Sequence, residues 1–142
     1  MNKMKLEFLS RSDNERFARM AVTAFILELD PTIEELSEIK TAVSEAVTNA
    51  VIHGYDMQEG IITLEGTLED NKLTITVSDN GVGIPDIKKA REPLYTGKPE
   101  AERSGMGFTI MEEFMDELYV KSELGKGTSV TMTKTIEVDN ER

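Results

Sequence analysis

The sequence predicts an α+β fold, in which a mixed and mostly antiparallel sheet carries helices on one face. Segments with alternating apolar and polar residues, typical of strands, occur near the start of the chain and again in its second half. Two long segments with apolar residues at helical spacing lie between them. No internal repeat or low-complexity tract interrupts this order, which indicates one packed α+β unit.

The first half of the chain predicts one strand and two helices. Residues 3–8 alternate and form the strand. Ser12-Asp13-Asn14-Glu15 fits a capping box that begins the first helix, and Asp30-Pro31 ends it. Thr32-Ile33-Glu34-Glu35 fits a second capping box, and the second helix extends to Gly54 as its stop. The first helix is expected to carry an apolar stripe made of Phe17, Met20, Ala21, Ala24 and Phe25.

The second half predicts two strand pairs separated by a loop and a helix. Residues 61–68 and 72–78 read as paired strands, and residues 118–122 and 128–136 as two more. Residues 85–104 predict a short helix followed by an irregular loop. A loop this long inside a small protein is typical of a lid or a binding segment. The glycines at 105 and 107 then begin a helix that continues to about residue 116.

Length and composition limit the class of protein. A chain of 142 residues suits one domain with its own core. The formal charge of −11 would repel a phosphate backbone, which argues against a nucleic-acid ligand. Its main expected role is to maintain solubility, and a basic protein partner is the alternative. The sequence has no cysteine, no apolar run that could span a bilayer and no apolar signal-peptide core near its start. We therefore expect a cytoplasmic protein that does not bind a membrane.

The pair Glu45 and Asn49 is the first candidate for chemistry. The two residues lie four positions apart in the predicted second helix, so their side chains point the same way. A carboxylate there could take a proton from a hydroxyl, and the neighbouring amide oxygen could hold Mg²⁺. Spacing alone leaves an ordinary solvated helix face as the alternative.

Two glycine motifs follow. In Asp79-Asn80-Gly81-Val82-Gly83 the glycines would let the backbone approach a ligand, although a hairpin turn explains the motif as well. Gly105 and Gly107 precede a helix whose free N–H groups favour an anion, although a flexible hinge is the alternative. The motif at Gly105 and Gly107 matches neither a P-loop nor a dinucleotide-binding fingerprint.

Several single residues have two interpretations each. Arg103 could reach a phosphate held near Gly105, or it could be a solvated charge. Thr128 could offer its hydroxyl to a base, or it could simply follow a glycine-rich turn. Arg16 and Arg19 lie one turn apart and could form a face for a protein partner, or they could face solvent. The single histidine, His53, is expected to be structural.

The order of these motifs is more specific than any one of them. It resembles the N, G1, G2 and G3 boxes of the GHKL ATP-binding superfamily, which includes gyrase, ATPase chaperones, mismatch-repair ATPases and histidine kinases. Within that group the chain is similar, over nearly its whole length, to the sporulation anti-sigma F factors, the stage II sporulation AB family. The motifs that carry this similarity are Ser44-Glu45-Ala46-Val47-Thr48-Asn49-Ala50, Thr96-x-Lys98-Pro99-Glu100 and Arg103-Ser104-Gly105-Met106-Gly107-Phe108-Thr109-Ile110-Met111.

The resemblance implies a fold and an activity. The fold would be a two-layer α/β sandwich of the GHKL (Bergerat) type over residues 1–142, with an ATP lid at about residues 85–107. The activity would be that of an ATP- and Mg²⁺-dependent serine kinase that holds the sporulation sigma-F factor inactive and phosphorylates its anti-anti-sigma antagonist. The protein would be a homodimer whose first helix, including Arg19, meets both partners.

The resemblance also implies residue roles. Glu45 would be the general base for the substrate serine, Asn49 the Mg²⁺ ligand, and Arg103 the residue that senses or stabilises the γ-phosphate. Asp79 would accept from the adenine amino group, with Thr128 near the base. Nucleotide contacts or access would be given by Gly81, Gly83, Gly105 and Gly107.

Three alternatives remain open at the level of sequence. A stress-response anti-sigma kinase of the same family would carry similar nucleotide boxes. A nucleotide-gated sequestering module would capture a sigma factor without kinase activity. The catalytic domain of a histidine kinase is a third interpretation, although no dimerisation and phosphoacceptor region precedes the ATP boxes in this sequence.

Overall fold

A computed structural model describes residues 1–55, 58–92 and 107–137. Five strands form one sheet in the order β1-β2-β3-β5-β4, and each of the four neighbouring pairs is antiparallel. The predicted α+β class is therefore confirmed, and the predicted strands are all present. Their bounds are β1 Asn2–Leu9, β2 Ile61–Glu69, β3 Lys72–Asp79, β4 Glu117–Glu123 and β5 Gly127–Thr135.

The helices cover one face of the sheet. In β2 the residues Ile62 and Leu64 are fully buried against them, while the alternate residue Thr63 is only partly buried on the opposite face. The same alternation continues in β3. Among the described residues, no helix has the length and apolar character needed to cross a membrane. The helices are α1 Asn14–Ile26, α2 Ile33–Asn49, α3 Ile87–Ala90 and α4 Gly107–Phe114, with a 3₁₀ turn at Leu27–Leu29 and a π-helical turn at Ala50–Gly54.

The apolar stripe predicted on α1 is only partly buried in the structure. Its fully buried residues are Ala18, Val22 and Ile26, which recur every four positions and pack toward α2. Phe17 and Met20 are 56% and 61% exposed. The first two turns of the helix therefore carry apolar residues on two faces. The face with the smaller residues Ala18 and Val22 packs toward α2, and the face with the larger Phe17 and Met20 is exposed.

The first predicted capping box is wrong, whereas the second is confirmed. The N-cap of α1 is Asp13, whose side chain makes no cap hydrogen bond, because residues 11–14 form a turn in which the Asn14 N–H donates to the Arg11 carbonyl. At α2 the Glu35 N–H donates to Thr32 Oγ1 at 3.0 Å and the Thr32 N–H donates to Glu35 Oε1 at 2.8 Å.

The end of α2 differs from the expected glycine stop. The helix widens after Asn49 into the π-helical turn, and the Tyr55 N–H donates to the Ala50 carbonyl at 3.1 Å. Wide turns of this kind are rare and occur often at functional sites. This one brings the Gly54 backbone against the loop that follows β3.

Candidate active site

The end of α2 borders a cavity of about 240 Å³ that also touches β3, β5 and the start of α4. Most of the side chains around it are apolar, and its polar lining includes Asn49, Asp79 and Thr128. The described residues that line it are Ala46, Asn49, Ala50, His53, Gly54, Val77, Asp79, Val82, Gly83, Ile84, Pro85, Asp86, Ala90, Gly107, Phe108, Thr128 and Val130.

Glu45 and Asn49 meet the first residue of α4 at one edge of this cavity. A Cβ placed on Gly107 would lie 3.2 Å from Asn49 Nδ2, 3.3 Å from Asn49 Oδ1 and 3.3 Å from Glu45 Oε2. The absence of a side chain at Gly107 therefore lets the N-terminus of α4 approach both polar groups. The positive end of the helix dipole favours an anion at the same place.

Asp79 is the buried carboxylate of the site. It is 8% exposed at the end of β3, and its Oδ1 accepts from the Gly81 N–H at 2.9 Å. Burial raises the pKa of Asp79, while hydrogen bonds from the backbone N–H groups of Gly81 and Thr128 act in the opposite direction. Because each carboxylate oxygen can accept more than one hydrogen bond, Asp79 can also accept from a ligand amino group.

Gly54 and Gly81 are in direct backbone contact behind Asp79. A Cβ on Gly81 would lie 1.8 Å from the Gly54 carbonyl oxygen, and one on Gly54 would lie 2.7 Å from the Asp79 carboxylate. The Val82 N–H donates to the same Gly54 carbonyl at 2.8 Å. The absence of a side chain at Gly81 therefore allows the two backbone segments to pack closely. Gly83, with a φ of +81°, lines the cavity itself.

Ser122, on β4, connects the loop that follows β3 with the start of β5. Its hydroxyl oxygen accepts from the Ile84 N–H at 2.7 Å and lies 2.8 Å from Thr128 Oγ1. Thr128 is paired with Asp79 in the β3–β5 register. The hydroxyl predicted to lie near a base is thus next to the buried carboxylate.

The two arginines of α1 lie away from the cavity lining. Arg16 borders a second, shallow depression together with the exposed Phe17 and Met20. Arg19 Nη1 lies 3.7 Å from Glu15 Oε1, and that carboxylate also accepts a hydrogen bond from the Ser44 hydroxyl. The structure therefore separates the predicted partner face from the predicted chemistry.

The predictions at Arg103 and Gly105, and the Thr96-x-Lys98-Pro99-Glu100 motif, lie outside the described residues. Sequence reasoning missed the position of His53, which lines the cavity. A signal for it was present, because Glu45, Asn49 and His53 follow at intervals of four residues, which places them along one helix face. It also missed the backbone contact of Gly54, for which a sequence offers no comparable signal.

Comparison with known proteins is consistent with this arrangement. Residues 8–134 match the family model for the histidine kinase-like ATPase domain. An anti-sigma F factor of Clostridium perfringens (strain SM101) is 62% identical over 134 residues, which cover 94% of this chain and 96% of the relative. An anti-sigma F factor of Clostridium acetobutylicum is 59% identical over 133 residues, covering 94% of this chain and 93% of that one.

Solved structures share the fold at low sequence identity. The RsbU and RsbW domains of Rv1364c from Mycobacterium tuberculosis match with a TM-score of 0.67 and 20% identity, covering 96% of this chain and 32% of that chain. The catalytic domain of the histidine kinase ThkA matches with a TM-score of 0.56 and 15% identity, covering 96% and 97% of the two chains. These two matches establish the two-layer fold and nothing about substrates.

Proposed function

Because this chain belongs to the family of histidine kinase-like ATPase domains, we propose that it binds ATP with Mg²⁺ and acts as a protein-serine kinase and anti-sigma F factor. It holds the sporulation sigma-F factor inactive and phosphorylates the anti-anti-sigma antagonist of that factor. The names of relatives at about 60% identity support the anti-sigma function. The observation that carries the proposal is the meeting of Glu45 and Asn49 with the start of α4 beside a cavity that contains Asp79.

In this proposal the cavity holds the nucleotide with its base near β3. Asp79 accepts from the adenine amino group, and Thr128 lies near the base. Gly83 leaves room for the ligand, and the contact of Gly81 with Gly54 keeps the Asp79 loop in place. Phosphates lie toward the N-terminus of α4, where Gly105 and Gly107 contact them and Arg103 senses the γ-phosphate. Residues 85–107 form the lid of the single domain that spans residues 1–142.

The donor atoms present are suited to Mg²⁺. Asn49 Oδ1 is a hard oxygen ligand, and Mg²⁺ is commonly held by one or two protein groups together with substrate phosphates. Among the described residues no three His, Asp or Glu side chains cluster as a metal site, which agrees with a metal that depends on the nucleotide for ligands. Bound Mg²⁺ would neutralise charge that develops on the phosphates.

Glu45 is the proposed general base. Its carboxylate lies at the same edge of the cavity as Asn49 and Gly107, where an incoming serine hydroxyl would meet the terminal phosphate. Phosphoryl transfer requires mainly positioning and charge stabilisation from the protein. A single carboxylate that orients the hydroxyl and accepts its proton is therefore sufficient.

The partner surface in this proposal is α1. The helix presents exposed Phe17 and Met20 next to Arg16, and Arg19 is held by Glu15 one turn away. An apolar stripe bordered by arginines suits a protein interface, because both residue classes contribute strongly to binding. We assign to this face the sigma factor and the anti-anti-sigma factor, and we propose that the protein acts as a homodimer.

The test is a pull-down of sporulation and stress sigma factors in ATP and in ADP, combined with labelling of anti-anti-sigma proteins from radioactive ATP. We expect capture of the sporulation sigma factor and label on a serine of its antagonist. Capture without label would favour the sequestering module, and capture of a stress sigma factor alone would assign the chain to that branch. Label on histidine would contradict the proposal.

A further inference from the structure

Tyr55 joins three parts of the molecule behind the cavity. It follows the π-helical turn, and its hydroxyl donates to the Ile61 carbonyl at 2.5 Å where β2 begins. The same hydroxyl accepts from the Asn80 N–H at 2.7 Å. Its ring lies against the backbone of Gly60, where a Cβ would come within 2.3 Å of a ring carbon.

The Asn80 contact places the Tyr55 hydroxyl one residue from the buried carboxylate. Four of the five N–H groups in the loop 80–84 donate to a specific acceptor: Asn80 to Tyr55, Gly81 to Asp79, Val82 to Gly54 and Ile84 to Ser122. The acceptor for Asn80 is the one among these four that is itself hydrogen-bonded to the start of β2, through the Ile61 carbonyl. Tyr55 does not itself line the cavity.

We propose that Tyr55 is a positioning residue for base recognition, acting through the Asn80 backbone to fix the Asp79 carboxylate. This inference rests on the proposed role of Asp79 as acceptor for the adenine amino group. The hydroxyl fixes the start of the loop, so Asp79 keeps the orientation in which burial and the Gly81 N–H hold it. The predicted consequence concerns selectivity for adenine and not nucleotide affinity in general.

The variant Tyr55→Phe tests the contribution of the hydroxyl apart from that of the ring. It keeps the packing on Gly60 and removes both hydrogen bonds, while the exposed Asn80 N–H can turn to water. Tyr119→Phe is the matched control, because its hydroxyl also donates a hydrogen bond, here to the Glu117 carboxylate, and the residue is 56% exposed on a strand and does not line the cavity.

The measurement is the dissociation constant for ADP and for IDP, which lacks the 6-amino donor, in each full-length protein by calorimetry. We expect Tyr55→Phe to bind ADP about fivefold more weakly, to bind IDP as the parent does and so to lose about fivefold in selectivity. Tyr119→Phe should leave both constants unchanged. An unchanged ADP-to-IDP ratio in folded Tyr55→Phe, including an equal loss for both ligands, would overturn the inference.

The variant Asp79→Asn distinguishes a failure of the Tyr55 inference from a failure of the proposed base recognition by Asp79. If Asp79→Asn abolishes the preference for ADP and Tyr55→Phe does not reduce it, the role of Tyr55 is wrong and the role of Asp79 stands. If Asp79→Asn leaves the preference intact, base recognition by Asp79 is wrong and the positioning role fails with it. Thermal denaturation of each variant checks that the proteins compared are folded.

Discussion

At the scale of single residues, the site depends on polar groups held in apolar surroundings. Asp79 is buried at the end of β3, and Glu45 and Asn49 lie where α2 meets α4. A carboxylate removed from water attracts a ligand donor more strongly than one on the surface, because fewer water molecules compete for it. The same burial makes such a group sensitive to protonation.

Nucleotide binding should therefore weaken at acidic pH through Asp79. Because burial raises its pKa above the usual 3.8, the carboxylate becomes protonated at a higher pH than an exposed aspartate and is then a weaker, uncharged acceptor for the proposed amino group. For stability the sign is opposite: the folded state holds this proton more tightly, so the cost of burying the charge disappears as the pH falls toward 3.8. ADP titrations across acidic pH should show a loss of affinity in the parent that Asp79→Asn lacks, and identical pH profiles would contradict this.

Asn49→Ala tests the metal role. We expect Mg-ATP affinity to fall about tenfold or more, because a charge-assisted ligand contact is lost, with little change in ADP affinity without Mg²⁺. The residue is only partly buried, so unfolding by urea should change by less than about 1 kcal/mol. Calorimetry that returned the parental Mg-ATP affinity would reject Asn49 as a ligand.

At the scale of elements, backbone contacts explain what sequence patterns could not. Helical spacing correctly placed Glu45 and Asn49 together, and alternation found the five strands of the described residues, because each signal is local. The capping box at Thr32 was readable for the same reason. The orientation of α1 could not be predicted from the sequence, since the helix has apolar residues on two faces and only packing against α2 selects between them. The contact of Gly81 with Gly54 joins residues 27 positions apart and leaves no local pattern.

Alanine substitutions at two glycines distinguish the stability cost of steric crowding from the cost of an unfavourable backbone conformation. Gly81→Ala places a methyl group 1.8 Å from a backbone oxygen, so we expect a loss of at least about 3 kcal/mol in unfolding free energy. Gly125→Ala is the control, because its φ of +80° disfavours a side chain although no atom lies within 4 Å. It should cost about 1 kcal/mol. Urea denaturation of both variants measures the difference, and equal losses would show that crowding at Gly81 is unimportant.

At the scale of the whole molecule, the exposed apolar face of α1 and the cavity are separate surfaces joined through α2. Ser44 on α2 donates to Glu15 on α1, and the next residue, Glu45, lies at the cavity edge. In the proposed function α1 binds the protein partners and the cavity binds the nucleotide, so each surface can be occupied while the other is filled. Differences between ATP and ADP contacts could then change partner binding only through differential stabilisation of two states.

Arg19→Glu should abolish capture of the sigma factor and leave ADP affinity within about twofold, because the residue lies outside the cavity lining. Lys72→Glu makes the same charge change at an exposed residue that is likewise paired with a carboxylate, Glu117, at 3.5 Å. It should leave sigma capture intact. Unchanged capture by Arg19→Glu, or equal loss in both variants, would count against α1 as the specific partner face.

The most direct test of the central claim is the single-turnover rate of phosphate transfer from ATP to the serine of the anti-anti-sigma partner in Glu45→Gln. Glu34→Gln, an exposed position in the first turn of the same helix, is the control. We predict a rate lower by about 10² to 10⁴ for Glu45→Gln, with ATP affinity retained and Glu34→Gln unaffected. Transfer by Glu45→Gln at the parental rate would contradict the assignment of Glu45 as the general base.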